Sequence, residues 1–115
     1  MISISIIILN YNTPDLIEDL VLSLGNDPFF EIIIIDNSDS HAYKKSGQDN
    51  VHIYQSKDNL GFAKGVNLGT TYAKGEWLLF LNSCNGDCLN NRVSYAKEPF
   101  SIVFLTCNNS LNCRI

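Results

Sequence analysis

Four short stretches hold most of the side chains in this sequence that could bind or polarise a ligand. The first is Asn10-Tyr11-Asn12, which follows the apolar run "SISIIIL". An aromatic ring at such a place could stack on a nucleobase, a contact worth roughly 1–3 kcal/mol on aromatic platforms. The alternative for Tyr11 is packing against the helix that follows. The second stretch, Asp36-Asn37-Ser38-Asp39-Ser40, follows four consecutive isoleucines. A carboxylate at the lip of a buried strand is placed to accept a hydrogen bond from a ribose hydroxyl or a base N–H. A purely local role would have Asp36 and Ser38 close an Asx-turn or cap a helix.

The third stretch, "NLGFAKGVNLG" (59 to 69), carries Gly61, Gly65 and Gly69 at a loop-to-helix junction. Backbone N–H groups at a helix start favour anions, and Lys64 could add a positive charge against a diphosphate. The spacing matches neither the G-x-G-x-x-G dinucleotide fingerprint nor the P-loop, and the glycines could equally serve close packing of a helix on a sheet. The fourth stretch, Asn82-Ser83-Cys84, stands at a strand end where many α/β enzymes place a metal-binding carboxylate. Hard divalent cations take oxygen ligands, carboxylates above all. A thiol is soft and mostly protonated near neutral pH, so Cys84 is a poor substitute. Asp87 reaches a metal at that site only if its loop folds back; otherwise it is a turn residue in Asn85-Gly86-Asp87.

These stretches need elements to bring them together. The charge-poor, β-branched run from Ser3 predicts a central strand covered on both faces. Thr13 offers an N-cap and Pro14 suits the first helical position. Leu16, Ile17, Leu20, Val21 and Leu24 then recur at helical spacing up to a stop at Gly25. "FFEIIII" predicts a second buried strand and "VHIYQS" (51 to 56) a shorter third, with a short helical crossover between them. Leu60, Ala63, Val66, Leu68 and Ala73 predict a helix from about Gly61 to Ala73, ended by Gly75, and "EWLLFLN" a fourth strand. This alternation predicts an α/β fold, a Rossmann-like parallel sheet. Ligands of such sheets bind beyond the carboxyl ends of the strands, which is where the polar stretches fall.

Composition narrows the function. A net charge of −4 disfavours a nucleic-acid partner, which would call for a basic face. No apolar run approaches the roughly 20 residues of a membrane span. The N-terminus lacks the basic and apolar regions of a signal peptide, which predicts a cytoplasmic chain. All four cysteines, Cys84, Cys88, Cys107 and Cys113, fall from residue 84 onward, in an asparagine-rich tail with one plausible strand, Phe100 to Thr106. Their spacing is looser than the paired C-x2-C knuckles of structural zinc sites and reads more simply as reduced thiols. His41 and His52 have no ligand-spaced partner. If the sheet stopped at its fourth strand, that strand would present an exposed edge, which favours self-association, unless the run "PFSIVFLTC" of the tail covers it.

"IIILNYN" with Pro14-Asp15, "IIIIDNSDS", "DNLGFAKGVNLG" and "AKGEWLLFLN" together resemble, in order and spacing, the N-terminal half of family 2 glycosyltransferases of the GT-A fold, especially the rhamnosyltransferase-like branch. The resemblance covers residues 3 to 83. It divides the chain into a nucleotide-sugar-binding half-domain, 1–83, and a divergent tail, 84–115. It implies that Tyr11 contacts the base and Asp36 the base or ribose of a UDP- or dTDP-linked sugar. It further implies that Asn59, Gly61, Lys64 and Asn67 line the nucleotide pocket, and that Asn82 and Cys84 occupy the positions of the family's Mg²⁺ or Mn²⁺ motif. The family's acceptor half, with its catalytic base, lies beyond that strand. The chain is therefore expected to be a truncated transferase fragment, inactive alone. A non-catalytic α/β interaction module is the alternative.

Overall fold

A computed structural model describes residues 2–44, 47–56, 58, 60–83, 101–109 and 112–114. The elements follow in the order β1 (Ile4–Asn10), α1 (Pro14–Leu24), β2 (Phe30–Asp36), β3 (Val51–Gln55), α2 (Gly61–Tyr72), β4 (Trp77–Ser83), β5 (Ser101–Asn109) and β6 (Asn112–Arg114). They form one sheet of order β3-β2-β1-β4-β5-β6. The first five strands are parallel, and β6 joins antiparallel to β5. The α/β reading is thus correct: the architecture is a Rossmann-like, mostly parallel sheet.

The isoleucine runs are explained by burial on both faces. Side chains alternate across a strand, so Ile6 and Ile8 of β1 join Ile32 and Ile34 of β2 under α1, where Ile17, Leu20 and Val21 cover them. Ile7, Ile33 and Ile35 point the other way, to Val66 of α2 and to Leu78 and Phe80 of β4. Two cores therefore sandwich the sheet, and a strand with apolar residues at every position is what that arrangement requires.

Two sequence expectations need correction, and the condition left open for the fourth strand is decided. The connection from β2 to β3 contains no helix among its described residues, which form a loop. Thr13 stands at the N-cap of α1, but its hydroxyl does not cap the helix: both its N–H and its Oγ1 donate to Asn10 Oδ1, at 3.0 and 3.2 Å. Nor is β4 an edge. β5 pairs with it from Trp77↔Ser101 to Ser83↔Cys107, so the sheet edges are β3 and β6. The sequence reading includes β5, starting it one residue early, but not the three-residue β6.

Two glycines of α2 serve packing. A Cβ at Gly69 would lie 2.6 Å from Ile7 Cγ2 and 3.3 Å from Ile35 Cγ1, both on the sheet beneath. Overpacking a core costs roughly 1–3 kcal/mol, against a gain of about 1 kcal/mol from alanine's helix propensity. Gly69→Ala is therefore expected to lower stability by about 1 kcal/mol, read as a lower urea midpoint. A midpoint raised above wild type would show that the helix can lift off the sheet without cost.

Candidate functional site

The strand order reverses direction of travel between β1 and β4: β2 and β3 build outward from one side of β1, and β4 and β5 from the other. In open α/β sheets the crevice at such a switch point, beyond the carboxyl ends of the strands, is where ligands bind. Here β1 ends at Asn10, paired with Asp36 at the end of β2. On the other side, β4 runs beside β1 to the pair Ile8↔Leu81 and continues into Asn82 and Ser83.

Tyr11 is the first residue past β1 and is half exposed, at 50%, so its ring is not spent on packing against α1. The residues on either side of it are tied down. Asn10 is fully buried; its Oδ1 holds Thr13, and its Nδ2 donates to the His41 carbonyl at 3.4 Å. Asn12 adopts a left-handed backbone with φ of 56°, a conformation that asparagine tolerates better than most residues.

Asp36 is buried and its carboxylate is engaged locally. Oδ1 accepts the Ser38 N–H at 3.0 Å, the Asx-turn geometry, and Oδ2 accepts the Tyr43 N–H at 2.8 Å. Tyr43, itself buried, donates its hydroxyl to Glu18 Oε2 of α1 at 2.6 Å. Asp36 therefore folds the loop after β2 and, through Tyr43, fastens it to α1. The exposed Asp39 at the tip of this loop has its carboxyl held below the usual carboxylate range by hydrogen bonds from the Asn12 amide and then from Ser40.

The start of α2 lies against this rim. A Cβ at Gly65 would meet Leu9 Cδ2 at 2.7 Å and Asn37 Nδ2 at 3.2 Å, which places the first turns of the helix over the ends of β1 and β2. Gly61 opens the helix at φ of 73° with open space beside it, so it is required for its backbone conformation. Lys64 is exposed and Asn67 half-buried. Asn37 is buried, and its Oδ1 finds no hydrogen-bond partner among the described residues. Asn59, Cys84 and Asp87 lie outside the described residues. Of Asn82, the structure gives its place at the end of β4.

The resemblance noted in the sequence implies a divalent metal at the end of β4, so the donor set matters. Among the described residues no group of three or more His, Cys, Asp or Glu side chains is gathered closely enough to hold a metal ion. At the motif position itself the sequence offers an amide, a hydroxyl and a thiol, Asn82-Ser83-Cys84. That set does not fit a hard divalent cation, which calls for carboxylates.

Sequence reasoning pointed to Tyr11 and Asp36 and placed Asn10 and Asn12 beside them at the rim, but it did not find the bonds by which the two asparagines build that rim, and it missed Tyr43. The only signal for the asparagines was their flanking of Tyr11, and Tyr43 gave none.

A parallel sheet with a switch point at β1, a half-exposed aromatic beside it and polar loops gathered at the strand ends define a Rossmann-like GT-A half-domain. The family model "Glycosyl transferase family 2" matches residues 5–110, and the chain belongs to that family. The matched span takes in β5 as well as the four strands before it. A protein from Haemophilus influenzae described as an uncharacterized glycosyltransferase is 33% identical over 91 residues, covering 74% of this chain. The alignment takes in 30% of that relative's length. Among the described residues no helix is long and apolar enough to cross a membrane.

Proposed function

We propose that this chain is the donor-binding half of a glycosyl-transfer system and holds the nucleotide of a UDP- or dTDP-linked sugar at the carboxyl ends of β1 and β2. The observation that carries the reading is Tyr11, an aromatic ring 50% exposed at the switch point of the sheet. Family membership supports glycosyl transfer as the chemistry. Tyr11 stacks on the base, and the loop folded by Asp36 forms the wall beside it. Gly61 and Lys64 at the start of α2 face the diphosphate, where helix N–H groups and a lysine charge favour an anion.

In glycosyl transfer of this type an acceptor hydroxyl loses its proton to a base and attacks the anomeric carbon, and the bond to the nucleoside diphosphate breaks. The residues assigned here bind and orient the donor; none is assigned as the base. With no carboxylate at Asn82-Ser83-Cys84, the chain by itself is expected to bind nucleotide and to transfer no sugar.

Isothermal titration with UDP and with dTDP, each with and without Mn²⁺, tests the reading. The expected result is saturable binding of at least one nucleotide with an affinity that Mn²⁺ leaves unchanged. Binding of neither would favour a non-catalytic interaction module. Tyr11→Ala is expected to weaken binding by about 1–3 kcal/mol, or roughly 5-fold to 150-fold, with little change in melting temperature because the ring is half exposed. Unchanged affinity in that variant would remove Tyr11 from the site.

A further inference from the structure

Asn12 makes more hydrogen bonds across the rim than any site residue named so far, yet a direct ligand contact is not what its geometry serves. Its backbone N–H donates to Ser38 Oγ at 2.8 Å and its Nδ2 to Asp39 Oδ1 at 2.8 Å. Its Oδ1 accepts the N–H groups of Ser40 and His41 at 3.2 and 3.0 Å and the Ser40 hydroxyl at 3.3 Å. His41 is gripped from both sides, since Asn10 Nδ2 holds its carbonyl. All these bonds run between the loop after β1 and the loop after β2, segments separated by more than 25 residues in sequence.

Asn12 takes the left-handed backbone that asparagine tolerates, at φ of 56°. It directly follows Tyr11, so the bonds that hold Asn12 to Ser38, Asp39, Ser40 and His41 also anchor the segment that carries Tyr11 out of β1. We infer that Asn12 is a positioning residue: its seam to Ser38–His41 locks the Tyr11 platform and the loop folded by Asp36 into one preformed nucleotide-binding rim. The inference rests on the donor-nucleotide reading. Preorganisation of this kind strengthens binding by removing the ordering cost from the binding step.

The seam has a polarity that can be reversed. Asn12 uses its amide N–H only toward the Asp39 carboxylate; every other side-chain bond is to its oxygen. Asn12→Asp keeps the acceptor toward Ser40 and His41 but sets two carboxylates against each other. Combining it with Asp39→Asn restores the missing donor from the opposite side, with all bonds of the seam intact. A residue important only for its size or polarity would show no such pairing.

The test is calorimetric titration with UDP and dTDP on the full chain, with melting temperature measured for each variant. Asn12→Ala and Asn12→Asp should each raise the Kd about tenfold, the equivalent of one net hydrogen bond. The Asn12→Asp, Asp39→Asn pair should return it to within about twofold of wild type. Asp39→Asn alone should change binding less than Asn12→Asp, because the carbonyl oxygen of the introduced amide can still accept the Asn12 Nδ2–H, as a neutral rather than a charge-assisted hydrogen bond. If the paired variant binds no better than Asn12→Asp alone, or if Asn12→Ala binds like wild type, the inference is overturned. If wild type itself binds neither nucleotide, the donor reading falls and the inference falls with it. The two failures are told apart by wild-type binding, which is intact only in the former.

Discussion

Asp36→Ala is expected to cost about 2–4 kcal/mol of folding stability. The carboxylate is the acceptor for two backbone N–H groups, those of Ser38 and Tyr43. A buried donor left without a partner costs roughly 1–3 kcal/mol. The Tyr43 N–H is buried and bears the full penalty; that of Ser38 is partly buried and bears less. Once the turn is released, Tyr43 also loses its register with Glu18, and the loop after β2 detaches from α1. Asp36→Asn should lie between, since one amide oxygen can serve one N–H while the amide nitrogen faces the other. Denaturant unfolding of the three proteins checks the order. An Asp36→Ala midpoint equal to wild type would mean that the carboxylate is not what folds this loop.

Gly75→Ala is expected to lose about 3 kcal/mol, at the opposite end of the sheet. A Cβ there would lie 2.7 Å from the Ser5 nitrogen and 2.8 Å from the Ile4 carbonyl carbon. These are backbone atoms of β1, which is hydrogen-bonded on both sides to β2 and β4 and cannot move aside as a side chain would. The turn must lift instead, and it takes a buried network with it. The Gly75 N–H donates to Ser5 Oγ at 2.8 Å, Ser5 donates to Glu31 Oε1 at 2.7 Å, and the same oxygen accepts the Lys74 N–H at 2.8 Å. Overpacking costs roughly 1–3 kcal/mol, and loss of satisfied buried groups adds to it. This network lies at the amino ends of the strands, away from the rim. The variant should therefore lower the urea midpoint while leaving nucleotide affinity nearly unchanged at temperatures where it is folded. A large fall in affinity at full folding would show the two ends of the sheet to be coupled.

The parts of this fold that were readable in sequence are those written in local patterns. Consecutive isoleucines at 6–8 and 32–35 can be satisfied only by strands buried on both faces, and the Pro14 start and Gly25 stop bracket α1 as expected. β6 has no such pattern: Asn112–Arg114 is three residues without apolar alternation, and it exists by pairing with β5. The loop between β2 and β3 was expected to be partly helical because its length suits a crossover. The structure spends that length on side-chain bonds to Asn10, Asn12 and Asp36 instead.

The candidate site shows the same division. Tyr11 and Asp36 were legible because each follows a buried strand directly. The partners that set their geometry were not, because Asn12 meets Asp39 and His41 only after the chain has gone through α1 and β2. For Asp36 the sequence offered a ligand contact or an Asx-turn with Ser38; the structure shows the turn, and the second backbone partner, Tyr43, which the sequence did not indicate, makes it the organiser of the wall. For Gly65 and Gly69 the sequence left two readings open, a helix start that favours anions or close packing of helix on sheet, and in the structure they are contact points of α2 on Leu9 and Ile7.

The most direct test of the donor-binding reading is a two-dimensional amide NMR titration of the ¹⁵N-labelled chain with UDP and, separately, dTDP. The prediction is saturable shift changes at Tyr11, Asn12, residues 36 to 41 and the first turn of α2 from Gly61 to Lys64, with the amino-end residues Phe29, Gly75 and Trp77 unmoved. Shifts confined to those amino-end residues, or no shifts with either nucleotide at millimolar concentration, would contradict it.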